Sequence, residues 1–161
     1  GAGNDSISAG AGDDSINTGV GNDSVLAGVG NDSINTGTGN DFVSTGSGND
    51  TVNTGGGDDT VFVGSGDTVV NTGSGNDTAK LDFGFSGIAK LNGGGGSLDK
   101  LDLRLVNIDT VSSSDAQLII TLEDGSVIQA TKFEKFIYDN NPSSSNEEIV
   151  IVGAHQLDDN Y

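Results

Sequence analysis

A strict nine-residue period governs the first half of this chain. The units GAGNDSISA, GAGDDSINT, GVGNDSVLA, GVGNDSINT, GTGNDFVST, GSGNDTVNT, GGGDDTVFV, GSGDTVVNT and GSGNDTAKL follow one another over residues 1–81 without a gap. Gly holds places one and three, Asn or Asp place four, Asp place five and an aliphatic residue place seven. Units this small cannot bury a core singly, so they must stack on one another. They are too short for a helical hairpin and lack a 3.6-residue apolar period, which excludes helix. Places six to eight read polar, aliphatic, polar. That predicts a three-residue strand with one inward side chain, entered through a Gly-x-Gly-Asn-Asp turn. The inward column is Ile7, Ile16, Val25, Ile34, Val43, Val52, Val61, Val70 and Ala79, dominated by the β-branched residues that stacked strands favour.

Place eight shows that the true period is 18. Even units carry Asn17, Asn35, Asn53 and Asn71 there, whereas odd units carry Ser8, Leu26, Ser44, Phe62 and Lys80. A coil of two strands and two turns, rising about 4.8 Å per layer, puts even units on one face and odd units on the other. If units two apart stack directly, Asp5, Asp23, Asp41, Asp59 and Asp77 form one carboxylate ladder, and Asp14, Asp32 and Asp50 form the other. Neighbours at that spacing repel by about 3 kcal/mol at an effective dielectric near 20.

Nothing nearby relieves this repulsion. No Lys or Arg precedes Lys80, while 11 Asp and 19 Gly do, and the whole chain has a formal charge of −18. Small aliphatic side chains beside so many glycines leave the bare array disordered. A hard divalent cation between turns removes the repulsion, since Ca²⁺ takes roughly six to eight oxygen ligands from carboxylates and backbone carbonyls. Mg²⁺ demands a tight octahedron and keeps its water, and Zn²⁺ prefers His and Cys. Several calcium ions are therefore expected. The same charge turns away nucleic acid and anionic membrane. The lack of Cys excludes disulfides and thiolate sites. No apolar run reaches the roughly 18 residues of a membrane-spanning helix, and no charged start leads into an apolar leader core. Because the chain opens in mid-pattern, upstream domains of the same polypeptide are expected.

These units resemble the RTX (repeats-in-toxin) nonapeptide β-roll, over about the first 80 residues and in eight of the nine units. The resemblance implies an all-β fold: a right-handed parallel β-solenoid with two short strands per 18-residue coil, followed by a C-terminal β cap. It implies calcium held by Asp5, Asp14, Asp23, Asp32, Asp41, Asp50, Asp59 and Asp77. Backbone carbonyls around Gly3, Gly10, Gly12, Gly19, Gly21, Gly28, Gly30, Gly37, Gly39, Gly46, Gly48, Gly55, Gly57, Gly73 and Gly75 would complete the sites. The eighth unit departs from the pattern, with Thr68 where Asp is expected and Asp67 one place early, and no ligand is assigned there. The resemblance further implies export by type I secretion machinery, folding outside a bacterium, and a parent that is an adhesin, toxin or secreted enzyme. The competing reading is an adhesion module whose flat faces hold polysaccharide, a cell surface or ice. No catalytic role is expected.

Four segments are expected: the array at 1–81, a transition and degenerate last repeat at 82–103, a β cap at 104–141, and a polar linker and tail at 142–161. Asp99 takes the acidic place of the degenerate repeat. Apolar stretches at 116–122 and 127–132 flank Glu123-Asp124-Gly125-Ser126, a hairpin signal. Residues 149–152 read as a short strand. The Asn-x-Ser/Thr matches at Asn4, Asn22, Asn31, Asn49 and Asn76 are by-products of the repeat and read as turns. His155, the only histidine, lies in a polar tail without a nucleophile beside it. Leu26, Phe42 and Phe62 place large apolar groups on the odd face, which is expected to be covered by cap, tail or a neighbouring domain and less exposed than Asn17, Asn35 and Asn53.

Overall fold

The computed structural model describes residues 1–104, 106–114, 117–133 and 135–137. These residues form strands β1 (Ser6–Ala11), β2 (Ser15–Val20), β3 (Ser24–Val29), β4 (Ser33–Thr38), β5 (Phe42–Ser47), β6 (Thr51–Gly56), β7 (Thr60–Val63), β8 (Thr68–Asn71), β9 (Thr78–Leu81) and β10 (Ile88–Asn92). Strands β11 (Lys100–Asp102), β12 (Ile108–Ser114), β13 (Gln117–Leu122), β14 (Val127–Thr131) and β15 (Lys135–Ile137) follow. There is no helix among the described residues, and so none that could cross a membrane.

Successive strands alternate between two sheets, giving a parallel β-solenoid of about five turns. The odd sheet runs β1-β3-β5-β7-β9-β11-β15, and β2-β4-β6-β8-β10-β14 form the parallel part of the even sheet. The register is the expected 18 residues: Ile7 lies beside Val25, Ile16 beside Ile34 and Asn35 beside Asn53.

The strands are longer than expected and bury two places per unit rather than one. Place seven is inward, and so is place nine. Thr18, Thr36, Thr54 and Thr72 are buried there without cost because each hydroxyl has an acceptor in the next even coil. Thr18 Oγ1 donates to Thr36 O at 2.9 Å, Thr36 Oγ1 to Thr54 O at 3.1 Å, Thr54 Oγ1 to Thr72 O at 2.7 Å and Thr72 Oγ1 to Gly93 O at 2.9 Å. On the odd side, place nine grows from Ala27 through Thr45 and Val63 to Leu81. The core is therefore wider at its C-terminal end, where Phe85, Leu91, Leu101 and Leu103 join it.

Beyond Leu81 three inserted residues, 82–84, lengthen the step between paired positions to 21, and the coil resumes: Leu91 lies beside Val70 and Asn92 beside Asn71. Leu101 then lies beside Ala79. The expected hairpin forms as β13 and β14, with Ile120 opposite Ile128 and Gly125 N donating to Leu122 O at 2.9 Å. Its second strand runs on as a parallel neighbour of β10, and β15 does the same for β11. The expected linker and tail at 142–161, with the 149–152 strand and His155, lie outside the described residues.

The two outward faces differ. On the even face Asn53 Nδ2 donates to Asn35 Oδ1 at 3.0 Å, Asn71 Nδ2 to Asn53 Oδ1 at 3.1 Å and Asn92 Nδ2 to Asn71 Oδ1 at 3.0 Å, a continuous amide ladder. On the odd face Phe62 is half-buried, its ring centroid 5.4 Å from that of Phe42. Leu26 is 49% exposed and Phe42 36%, so the cover expected over this face is not supplied there by the described residues. The reason is local: the chain that packs beside Phe62 comes from β9 and β11, three and four coils away from Leu26.

Candidate metal centre

Each turn into a strand presents its place-five Asp to the coil before it. On the odd edge Asp5 N donates to Asp23 Oδ1 at 2.8 Å, Asp23 N to Asp41 Oδ1 at 2.7 Å, Asp41 N to Asp59 Oδ1 at 2.8 Å and Asp59 N to Asp77 Oδ1 at 2.8 Å. On the even edge Asp14 N donates to Asp32 Oδ1 and Asp32 N to Asp50 Oδ1, both at 2.9 Å. The eight candidate aspartates thus form the two expected ladders. Place four latches the other way: Asn22 N donates to Asn4 Oδ1 and Asn40 N to Asn22 Oδ1, both at 2.8 Å.

The second carboxylate oxygens are the informative atoms. Oδ2 of Asp14, Asp23, Asp32, Asp41, Asp50, Asp59 and Asp77 is buried and has no hydrogen-bond partner. Repeated unsatisfied carboxylate oxygens are costly, and a row of them is the signature of a ligand that the protein chain does not itself supply. The Thr54 hydroxyl, which lies near Asp59, donates to Thr72 O at 2.7 Å. Burial pushes the Asp59 carboxyl up to about 6 and raises those of Asp50 and Asp77 as well.

Main-chain oxygens lie at the same turns. All the candidate glycines have positive φ. At Gly21 (φ 134°) a Cβ would fall on the carbonyl oxygen of Gly3, and at Gly28 (φ 118°) on that of Gly10, so no side chain fits between the carbonyls of successive coils. Among the described residues no three His, Asp or Glu side chains converge on one point. A cation at these turns would meet the place-five carboxylates together with main-chain carbonyls of the turn glycines. That donor set is all hard oxygen, which suits calcium and does not suit zinc.

Two residues lie beyond the candidate set. Asp77 N donates to Asp99 Oδ1 at 2.8 Å, so Asp99, which is fully buried, extends the odd ladder by one coil as its acidic place in the degenerate repeat suggested. On the even edge Thr68 occupies place five beside Ala89 and is buried with its hydroxyl unsatisfied. Asp67 sits in place four, where its amide donates to Asn49 Oδ1 and its own Oδ1 accepts from Ile88 N. It stands in for an asparagine and takes no part in the place-five ladder.

No curated protein matches the chain. A family model for the RTX calcium-binding nonapeptide repeat, four copies long, matches residues 1–25, 26–61 and 35–70. That model describes a calcium-binding structural module and not a catalytic family. With the solenoid, the eighteen-residue register and the buried carboxylate ladders on both edges, residues 1–70 consist of RTX calcium-binding nonapeptide repeats, and repeats in this number bind several calcium ions.

Proposed function

We propose that the chain is a calcium-triggered folding module of a larger secreted bacterial protein, an adhesin, toxin or enzyme. The observation that carries this is the row of buried, unpartnered Asp Oδ2 atoms. Asp5, Asp14, Asp23, Asp32, Asp41, Asp50, Asp59 and Asp77 would hold the ions together with carbonyls of the turn glycines. Calcium supplies positive charge and oxygen affinity there, and the chain supplies stacked turns that can be closed only when the carboxylates are neutralised.

At submicromolar cytosolic calcium the uncompensated carboxylates keep the array open and threadable by a type I exporter; outside the cell the same residues drive folding. The domain division reads as array at 1–81, transition at 82–103, cap at 104–141 and tail at 142–161. The cap is proposed to close the wide C-terminal end of the core and to template the first coil, because an array with an open core end has a costly nucleus. Circular dichroism in chelator and then across a calcium titration tests the proposal. A cooperative gain of β signal with calcium and none with magnesium is expected, and a full β spectrum in chelator would overturn it.

A further inference from the structure

The cations of this acidic chain are gathered on one surface. Lys80, Lys100, Arg104 and Lys135, four of the six basic residues, belong to β9, β11, β15 and the turn after β11, at the C-terminal end of the odd sheet. The inward residues beside the lysines, Ala79, Leu101 and Phe136, are buried, so the lysines between them project outward. The register sets Lys135 directly beside Lys100, and Lys80 beside Asp102. Asp102, beside Lys80, is engaged by Arg104, whose Nε donates to Asp102 Oδ1 at 2.9 Å. Lys80 Nζ lies over the Phe62 ring, 5.2 Å from its centroid. Phe62, Lys80, Leu81, Asp102 and Arg104 line a groove of about 280 Å³. The equivalent even face carries Lys90 alone among its strands.

We propose that this face binds a carboxylate-bearing polysaccharide. Strands β7, β9 and β11 are each hydrogen-bonded on both sides, so no peptide strand can be added here. What the surface offers is a cluster of ammonium groups: Lys100 and Lys135 on adjacent rungs, and Lys80 one rung and two residues away from Lys100, beside the rings of Phe62 and Phe42. A pyranose ring is about as long as one rung. The C–H face of a sugar packs on an aromatic ring while its carboxylate meets a lysine ammonium. The formal charge of −18 opposes any polyanion until the acidic edges are neutralised, so binding is calcium-dependent and rests on the calcium-loaded fold proposed above. The lysine cluster is not screened from the ligand, because direct contact falls well inside a Debye length of about 8 Å.

The test is calorimetric titration of the calcium-loaded full chain with oligogalacturonate too short to gel. Maltohexaose and poly-glutamate serve as comparators, and circular dichroism is recorded on each sample. Saturable binding of oligogalacturonate is expected, with none of maltohexaose. It should weaken about threefold for each of Lys80→Gln and Lys100→Gln, and further as salt is raised. Phe62→Ser should weaken it as well, and the lysine variants keep the question answerable if that one fails to fold. A folded chain that does not bind the glycan overturns the proposal. So does binding that is unchanged in folded Lys80→Gln/Lys100→Gln, or poly-glutamate binding as tight as the glycan, which would make this a surface for acidic protein segments. A chain that stays unfolded in calcium overturns the folding reading and this face together.

Discussion

The two edges of the solenoid begin with the same chemistry and end with different chemistry. On the odd edge every coil supplies an aspartate, from Asp5 through Asp23, Asp41, Asp59 and Asp77 to Asp99. On the even edge Asp14, Asp32 and Asp50 give way to Thr68 and then Ala89. Yet β8 and β10 pair in the same parallel sense as the strands before them. The coil therefore does not need its carboxylates to keep its path where other interactions suffice. Charge disappears from the even edge at the level where Leu81, Phe85 and Leu91 enlarge the core. Apolar burial there takes over the stabilising role that calcium has in the narrow coils, where the inward residues are isoleucine, valine, alanine and threonine.

Removing calcium is the harshest way to probe that difference. In chelator the narrow coils are expected to lose their β signal entirely, and hydrogen exchange should find whatever protection remains in β10, β13 and β14. Protection left equally along the array would break the contrast between narrow and wide coils. Next in size are single carboxylates. Asp59→Ala removes the carboxylate that accepts from Asp41 N, in a ladder that continues on both sides, and should cost about 3 kcal/mol of calcium-loaded stability. Asp50→Ala, already bordered by Thr68, should cost about half as much, as read by denaturant unfolding in calcium.

Protons sharpen the comparison with opposite signs in the two states. Burial raises Asp59 to about 6, so the folded chain holds this proton more tightly than the unfolded chain does. Without calcium, the folded state gains stability as pH falls through about 6 and loses it as pH rises through that value. With calcium, ion and proton compete for the same carboxylate, so the calcium midpoint should rise as pH is lowered through about 6. Titrations by circular dichroism at several pH values check both signs. Thr68→Asp would continue the even edge by one level and should lower the calcium midpoint roughly twofold while weakening the calcium-free state. The smallest effect is expected for Asn53→Ala, which breaks two exposed amide bonds and should cost under about 1 kcal/mol by thermal melting.

The residues themselves explain how far the sequence could be read. Place seven was legible because β-branched residues recur there without exception until Ala79, and the aspartate ladders followed from spacing alone. Place nine was not, because Thr18 or Thr54 reads as polar until the carbonyl that satisfies its hydroxyl is known. Asp99 stayed visible beside the Gly93-Gly94-Gly95-Gly96 run. Strand β10 was hidden by the 82–84 insertion and by a unit opening, Phe85-Ser86-Gly87-Ile88-Ala89, that keeps only one glycine of the pattern. Local signals predicted the β13–β14 hairpin, but nothing local tells β14 to lie along β10, a pairing of residues 39 apart.

The eighteen-residue latch also determines how such a molecule can change by descent. Repetitive coding sequence gains and loses units by slippage, and on paper any nine-residue unit is exchangeable for none. Dropping two units rejoins Asp to Asp and Asn to Asn and yields a shorter protein with the same surfaces. Dropping one exchanges the sheets of everything on one side of the cut: phenylalanines would fall into the asparagine row, and the lysine-bearing strands would inherit the wrong neighbours. The heritable step is the full coil, and lineages of this array are expected to differ by even numbers of repeats.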